Sequence, residues 1–148
     1  MKWTETLRRA TIAGATIIFA AALFMPASFS QTRYFRVCSG VCGSSPDDFT
    51  IALDDTKQLQ AADDILNGRV TDQVHVQGFI IAQPAFYNAP WQFYLDPKSI
   101  SFFTLGHTTC WGYSTTEVNA KLTSVGSPGF LPTRFWCPRG YKLSQEVK

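Results

Sequence analysis

The first 30 residues have the composition of an export signal rather than of a domain. They therefore leave residues 31–148 to form the fold, in the compartment to which the signal directs the chain. Three basic residues lie among the first nine, a 14-residue apolar stretch covers residues 12–25, and small and polar residues follow up to Ser30. This pattern predicts a signal peptide over residues 1–30 that is cleaved close to Ser30-Gln31. A chain with such a leader is expected to be secreted or periplasmic.

Two other interpretations of the leader stay open. An uncleaved membrane anchor would use the same apolar stretch, but 14 residues fall short of the roughly 20 that span a bilayer. A twin-arginine export signal would use Arg8 and Arg9, although the following Ala10-Thr11-Ile12 fits that pattern poorly.

The predicted mature chain, residues 31–148, carries no net charge. The leader contains three of the 13 basic residues and one of the 11 acidic ones, which leaves ten of each. A neutral chain lacks the basic footprint of a nucleic-acid-binding protein, and we expect no stable membrane insertion after cleavage. Its length and its many aromatic residues suit one buried core. We therefore expect a single domain over residues 31–148.

All four cysteines follow the leader, and an even number in an oxidising compartment indicates disulfides. Four cysteines allow three pairings. Cys38 and Cys42 are near enough in sequence to bond with each other, which would leave Cys110 and Cys137 for a second bridge. A zinc site would need further ligands at short spacing, so we expect neither a metal nor a cofactor.

Alternating apolar and polar residues predict strands over residues 34–38, 49–53 and 73–83. The second strand should have one buried face, formed by Phe49, Ile51 and Leu53. A hairpin is expected further on, because residues 91–95 and 100–105 flank the turn sequence Asp96-Pro97-Lys98-Ser99.

Two short amphipathic helices complete the predicted fold. The first should cover residues 57–67, with Asp55 or Thr56 as its N-cap and Asn67-Gly68 as its stop. The second should begin at a capping box of Ser114 and Glu117 and end at Gly126. Because strands and helices do not alternate, the expected class is α+β: a small antiparallel sheet with two short helices packed on it, stabilised by disulfides.

Catalytic motifs are not apparent. His75 in a strand and His107 after the hairpin belong to no nucleophile or metal motif. Three aspartate pairs, at residues 47–48, 54–55 and 63–64, lack the spacing of a calcium loop and suit capping or solvated positions. A hydrolase that uses an unrecognised acid pair is the third functional interpretation of this chain.

Four aromatic residues are candidates for contact with a partner: Phe86, Tyr87 and Trp91 in one loop, and Trp136 near the C-terminus. Aromatic side chains dominate the binding energy of protein interfaces. Core packing is the alternative role for all four.

Two segments of the chain resemble a known family. Residues 91–103 read Trp-Gln-Phe-Tyr-Leu-Asp-Pro-Lys-Ser-Ile-Ser-Phe-Phe, and residues 129–138 read Gly-Phe-Leu-Pro-Thr-Arg-Phe-Trp-Cys-Pro. Both are similar to the pattern of small, mostly exported proteins catalogued as calmodulin-binding proteins, over about residues 34–147. The resemblance implies that Cys110 and Cys137, which fall on the two cysteines of the family, are bonded. It also implies calmodulin as a partner.

The chain departs from that family at residues 105–112 and at Arg139-Gly140, and Cys38 and Cys42 are additional to its pattern. Calmodulin grips basic amphipathic helices. The first predicted helix sets Asp63 and Asp64 against Lys57, and the second is not basic either. The sequence therefore favours a secreted, non-enzymatic and inhibitor-like binding module for a protein partner, with calmodulin binding as the alternative.

Overall fold

The computed structural model of the protein describes residues 31–105 and 112–148. The predicted leader, His107 and Cys110 lie outside these residues. Within them the chain forms seven strands and two α-helices, in the order β1 (Arg33–Cys38), β2 (Phe49–Leu53), α1 (Thr56–Leu66), β3 (His75–Ile81), β4 (Tyr94–Leu95), β5 (Ser101–Phe103), α2 (Thr115–Ala120), β6 (Phe135–Trp136) and β7 (Lys142–Val147). Short 3-10 helices cover Phe86–Asn88, Pro97–Ser99 and Leu122–Ser124.

The strands form one antiparallel sheet in the order β2-β1-β7-β3-β4, and β5 and β6 also pair with β3. A small antiparallel sheet with two helices is therefore confirmed, although sheet predominates and the α+β description is only approximate. The C-terminal strand β7 was not predicted. It lies between β1 and β3, so the last residues of the chain join the two halves of the sheet.

Strand β3 is the centre of this arrangement, because an interrupted strand runs along each of its edges. On one edge of β3, β5 pairs with His75–Gln77 and β4 pairs with Ile80 and Ile81. On the other edge, β7 pairs with His75 and β6 pairs with Gly78 and Phe79. The predicted hairpin between residues 91–95 and 100–105 is therefore wrong. Asp96 accepts a hydrogen bond from the Lys98 amide and starts a 3-10 helix, which carries the chain onward along β3 instead of reversing it.

Strand β2 is buried on both faces, whereas the sequence predicted one buried face. The reason is that the sheet curls: β2 contacts β4 and the 3-10 helices at Phe86–Asn88 and Pro97–Ser99, so the two ends of the sheet meet. The other face of β2, with Thr50 and Ala52, is buried as well, and the Thr50 amide donates a hydrogen bond to Asn88 of the first 3-10 helix. The enclosed core includes Phe35, Ile51, Leu53, Val76, Ile80, Phe93, Leu95, Val118, Leu131 and Trp136.

Both helices begin where their capping residues predict. The Asp55 side chain accepts hydrogen bonds from the amides of Lys57 and Gln58, and the capping box of Ser114 and Glu117 is complete. Helix α2 ends at Ala120 rather than at Gly126, because the chain tightens into the 3-10 helix Leu122–Ser124. No helix in residues 31–105 and 112–148 has the length and apolarity needed to cross a membrane.

The cysteines agree with the sequence analysis as far as the structure describes them. Cys38 and Cys42 are joined by a disulfide. Cys137 is buried and disulfide-bonded. Its expected partner Cys110 lies outside the described residues, so the second pairing stays a prediction.

A charged cluster fastens α1 to the sheet. Arg33 on β1 donates two hydrogen bonds to the Asp63 carboxylate on α1 and two to the Glu146 carboxylate on β7, all between 2.7 and 3.0 Å. The hydrogen bonds from Arg33 hold the pKa of Asp63 and of Glu146 below their ordinary values. Arg33 also lies over the Phe35 ring, 5.1 Å from its centroid.

This cluster predicts a loss of stability in acid. Because both carboxyl pKa values are lower in the folded chain, the unfolded chain binds protons first as the pH falls. The stabilisation is complete above the ordinary values of 3.8 and 4.5 and is lost as the pH falls through the lowered ones. Urea melts should therefore find Arg33→Gln less stable than wild type by about 1–2 kcal/mol at neutral pH, with the gap closing below about pH 4.

The control for this experiment is Arg69→Gln, which removes an exposed pair with Asp64 and should change stability by less than about 1 kcal/mol. If the difference in the free energy of unfolding between wild type and Arg33→Gln stayed constant down to about pH 3, Arg33 would not be lowering the pKa of either carboxylate.

Candidate partner-binding surface

The structure separates the four aromatic residues that the sequence nominated. Trp136 has 0% of its surface exposed and Trp91 only 8%, so both are core residues. Phe86 is 83% exposed and Tyr87 is half-buried beside it. For the two tryptophans the structure thus corrects the nomination: Trp136, in particular, has no exposed surface to offer a partner.

Phe86 and Tyr87 belong to a larger aromatic surface, which we define as Tyr34, Phe86, Tyr87 and Tyr94. The ring centroid of Tyr34 lies 5.6 Å from that of Phe86 and 5.0 Å from that of Tyr87, and Tyr94 lies 6.2 Å from Tyr87. The Phe86 and Tyr87 rings meet edge to face at 5.4 Å. These separations suit favourable aromatic pairs, so each ring supports its neighbours and none is an isolated exposed side chain.

The local chain path explains how Phe86 comes to be exposed. Phe86–Asn88 is a 3-10 helix that follows Pro84, and its last residue is anchored in the core. The Asn88 side chain accepts a hydrogen bond from the Thr50 amide at 2.7 Å and donates one to the Phe93 carbonyl at 2.8 Å. Asn88 thus holds the helix against β2, and Phe86, two residues earlier, faces outward. Nothing in the sequence had marked Asn88.

Tyr34 and Tyr94 were also missed as site residues, because each lies in a strand and alternates with core positions. Tyr34 precedes buried Phe35, and Tyr94 lies between buried Phe93 and Leu95. In a strand, successive side chains point to opposite faces. The alternation could have identified both tyrosines as outward-facing, but it could not have shown that they meet at the 3-10 helix.

Burial raises the pKa of Tyr87 to about 12, with smaller contributions from Tyr94 and Tyr34. The Tyr87 hydroxyl therefore stays neutral at any physiological pH. The aromatic surface presents apolar rings and tyrosine hydroxyl groups, which is the composition of interface hot spots.

Further apolar residues adjoin the surface along the outer face of β3. Ile81 is directly opposite Tyr94, and Phe79, 45% exposed, is directly opposite Phe135 on β6. The Phe79 and Phe135 rings meet edge to face at 5.3 Å. On the other side of Phe86, a shallow groove of about 360 Å³ is lined by Pro84, Phe86, Pro90, Trp91 and Gln92, among others.

The aspartate pairs have structural roles. The Asp47 carboxylate accepts a hydrogen bond from the Thr116 amide at the start of α2, and the Asp47 backbone carbonyl accepts one from the Thr115 hydroxyl. The Asp48 carboxylate accepts a hydrogen bond from the Gly43 amide. Asp55 caps α1, and Asp63 and Asp64 pair with Arg33 and Arg69. At least one member of each pair is therefore occupied in holding the fold.

The described histidine is part of the core. His75 is buried, and its Nδ1 lies 2.8 Å from the Tyr141 carbonyl oxygen. Burial lowers the pKa of His75, which favours the neutral ring in the folded protein. Among the residues that the structure describes, no group of three or more histidine, cysteine, aspartate or glutamate side chains could hold a metal ion.

Comparisons with known proteins gave one match. No curated protein and no solved structure matches this chain. The family model described as BP-74 N-terminal domain matches residues 31–148, which is most of the chain and includes every described element. The match is consistent in general terms with the resemblance to calmodulin-binding proteins. The chain therefore belongs to the BP-74 N-terminal domain family.

Proposed function

We propose that the protein is a secreted, non-enzymatic binding module that contacts a protein partner through the aromatic surface. The observation that carries this proposal is the 83% exposure of Phe86, whose ring contacts those of Tyr34 and Tyr87. Exposing a large apolar side chain to water forgoes about 1.5–3 kcal/mol of hydrophobic stabilisation. A partner that covers Phe86 would recover that free energy.

The surface is also organised in advance, which lowers the entropy cost of association. Tyr34 and Tyr94 stand on strands, and Asn88 anchors the 3-10 helix that carries Phe86 and Tyr87. A rigid surface of this kind suits an inhibitor-like role, in which the module blocks a partner by occupying its contact site. Phe86 and Tyr87 keep the roles that the sequence suggested, and Tyr34 and Tyr94 replace Trp91 and Trp136.

The test is capture of secreted proteins by the oxidised wild-type protein and by two variants. Phe86→Ala should reduce capture of a specific partner at least tenfold, about the effect of a hot-spot residue, without altering the urea midpoint. Val41→Ala is the matched control, because Val41 is 77% exposed but lies in the loop closed by Cys38 and Cys42. A partner retained equally by Phe86→Ala and wild type would place the contact elsewhere.

Calmodulin binding is the second candidate function, and the family match favours it in general terms. Within the described residues, however, the apolar face of α1 is already used: Ala62 and Ile65 are buried, and Asp63 pairs with Arg33. Calmodulin would have to extract this helix from the core. Titration of calcium-loaded calmodulin with the oxidised protein decides the matter, since the absence of binding at micromolar concentration would remove this candidate.

A further inference from the structure

Arg36 lies next to the aromatic surface on the outer face of β1. It follows Tyr34 by two residues, and the side chains of Phe35 and Val37 enter the core from the opposite face. Residues two apart in a strand share a face and lie about 7 Å apart. The Arg36 side chain therefore starts about 7 Å from the backbone position of Tyr34 in the aromatic surface.

The guanidinium of Arg36 has no partner within the described part of the chain. Its Nε atom is buried without a hydrogen bond, and it forms none of the three salt bridges. The residues directly opposite on β2 and β7 are Thr50 and Gln145, which carry no charge. Arg33, on the same strand, is by contrast paired with two carboxylates.

A buried donor of a charged group is costly when it stays unpaired, and a carboxylate is the group that best matches a guanidinium. Apolar rings beside an unpaired positive charge would complement a ligand that carries an apolar side chain close to an acidic one. The described residues opposite Arg36 supply no carboxylate for this purpose.

We infer that the aromatic surface binds an acidic peptide segment of its partner, in which an apolar side chain packs against Tyr34 and Phe86 and a neighbouring carboxylate pairs with Arg36. This inference rests on the proposed function and adds the chemistry of the partner. Phe86 supplies the apolar contact, and Arg36 supplies the preference for acidic segments.

The experiment selects random linear peptides, displayed on phage, on the oxidised protein produced from the full chain. Enriched peptides are then synthesised, and their affinities for wild type, Phe86→Ala, Arg36→Gln and Arg139→Gln are measured by fluorescence anisotropy. Arg139→Gln is the matched control, because it removes the same charge from an exposed arginine outside the aromatic surface. Urea melts of each variant verify folding, and Arg36→Gln should fold normally because the Arg36 side chain forms no ion pair within the described residues.

The expected result is enrichment of aspartate or glutamate beside an apolar residue, with affinity reduced at least tenfold by Arg36→Gln and unchanged by Arg139→Gln. Replacing the peptide carboxylate with its amide should reduce the affinity for the wild-type protein by the same factor. Combining the amide peptide with Arg36→Gln should reduce the affinity no further than either change alone. Peptides that need Phe86 but show no acidic preference or no coupling to Arg36 would overturn the inference and leave the proposed function intact. Failure to find any peptide that depends on Phe86 would also overturn the inference, whereas the proposed function is decided separately by the capture of secreted proteins.

Discussion

Replacing Trp136 with alanine should lower the free energy of unfolding by about 3–5 kcal/mol, the usual cost of removing a large aromatic side chain from a core. Trp136 is fully buried, and its ring centroid lies 5.2 Å from that of Phe49 on β2 and 5.6 Å from that of Phe93. Its indole Nε1 donates a hydrogen bond to the Tyr113 carbonyl at 2.9 Å, just before α2. One side chain thus joins the two ends of the curled sheet to the start of a helix.

Urea denaturation, followed by tryptophan fluorescence or circular dichroism, measures this loss. Trp136→Phe retains most of the apolar volume but not the hydrogen bond, so it should cost less than the alanine variant. Phe86→Ala is the second control, because removal of an exposed ring should change stability by no more than about 0.5 kcal/mol. Equal stabilities for Trp136→Ala and Phe86→Ala would contradict the burial that distinguishes them.

Loss of the Asn88 side chain should have the next largest effect, about 2–4 kcal/mol for Asn88→Ala. Asn88 is 1% exposed, and its amide group satisfies the Thr50 N–H and the Phe93 carbonyl at the place where β2 meets the β4 segment. Alanine would leave both backbone groups buried without partners. Asn88→Asp should also be destabilising, since the carboxylate can accept from Thr50 but presents a second acceptor to the Phe93 carbonyl.

The matched control is Asn119→Ala. Asn119 also accepts a hydrogen bond from a backbone amide, that of Gln92 at 2.8 Å, but this hydrogen bond is exposed, so water can replace it. Its removal should cost less than about 1 kcal/mol. Because Asn88 anchors Phe86 and Tyr87, Asn88→Ala should weaken partner capture even where the protein stays folded. Similar stabilities for the two variants would mean that the ends of the sheet are held together without Asn88.

The sequence identified only Phe86 and Tyr87 among the four residues of the aromatic surface. The loop with Phe86 and Tyr87 was nominated because aromatic side chains dominate the binding energy of protein interfaces. The same criterion nominated Trp91 and Trp136, since sequence spacing does not tell whether another segment covers a ring. Trp136 is covered by Phe49 and Phe93, which are 87 and 43 residues away along the chain.

Features set by contacts over a few residues were determined by the sequence alone. The N-cap at Asp55, the capping box of Ser114 and Glu117, and the Cys38–Cys42 bond all occur as predicted, because each depends on groups within about five positions of one another. The left-handed Gly68 after α1 belongs to the same class.

Only the tertiary structure decided which strands pair and which aromatic rings stay in water. The turn at residues 96–99 has the composition of a hairpin turn, yet both of its flanks pair with β3, and β7 takes the place beside β1 that no local pattern indicated. Strand partners are chosen by the packing of whole faces, which local propensity does not encode. In the fold that results, Trp136 is buried and Phe86 is exposed, although both residues carry large aromatic side chains.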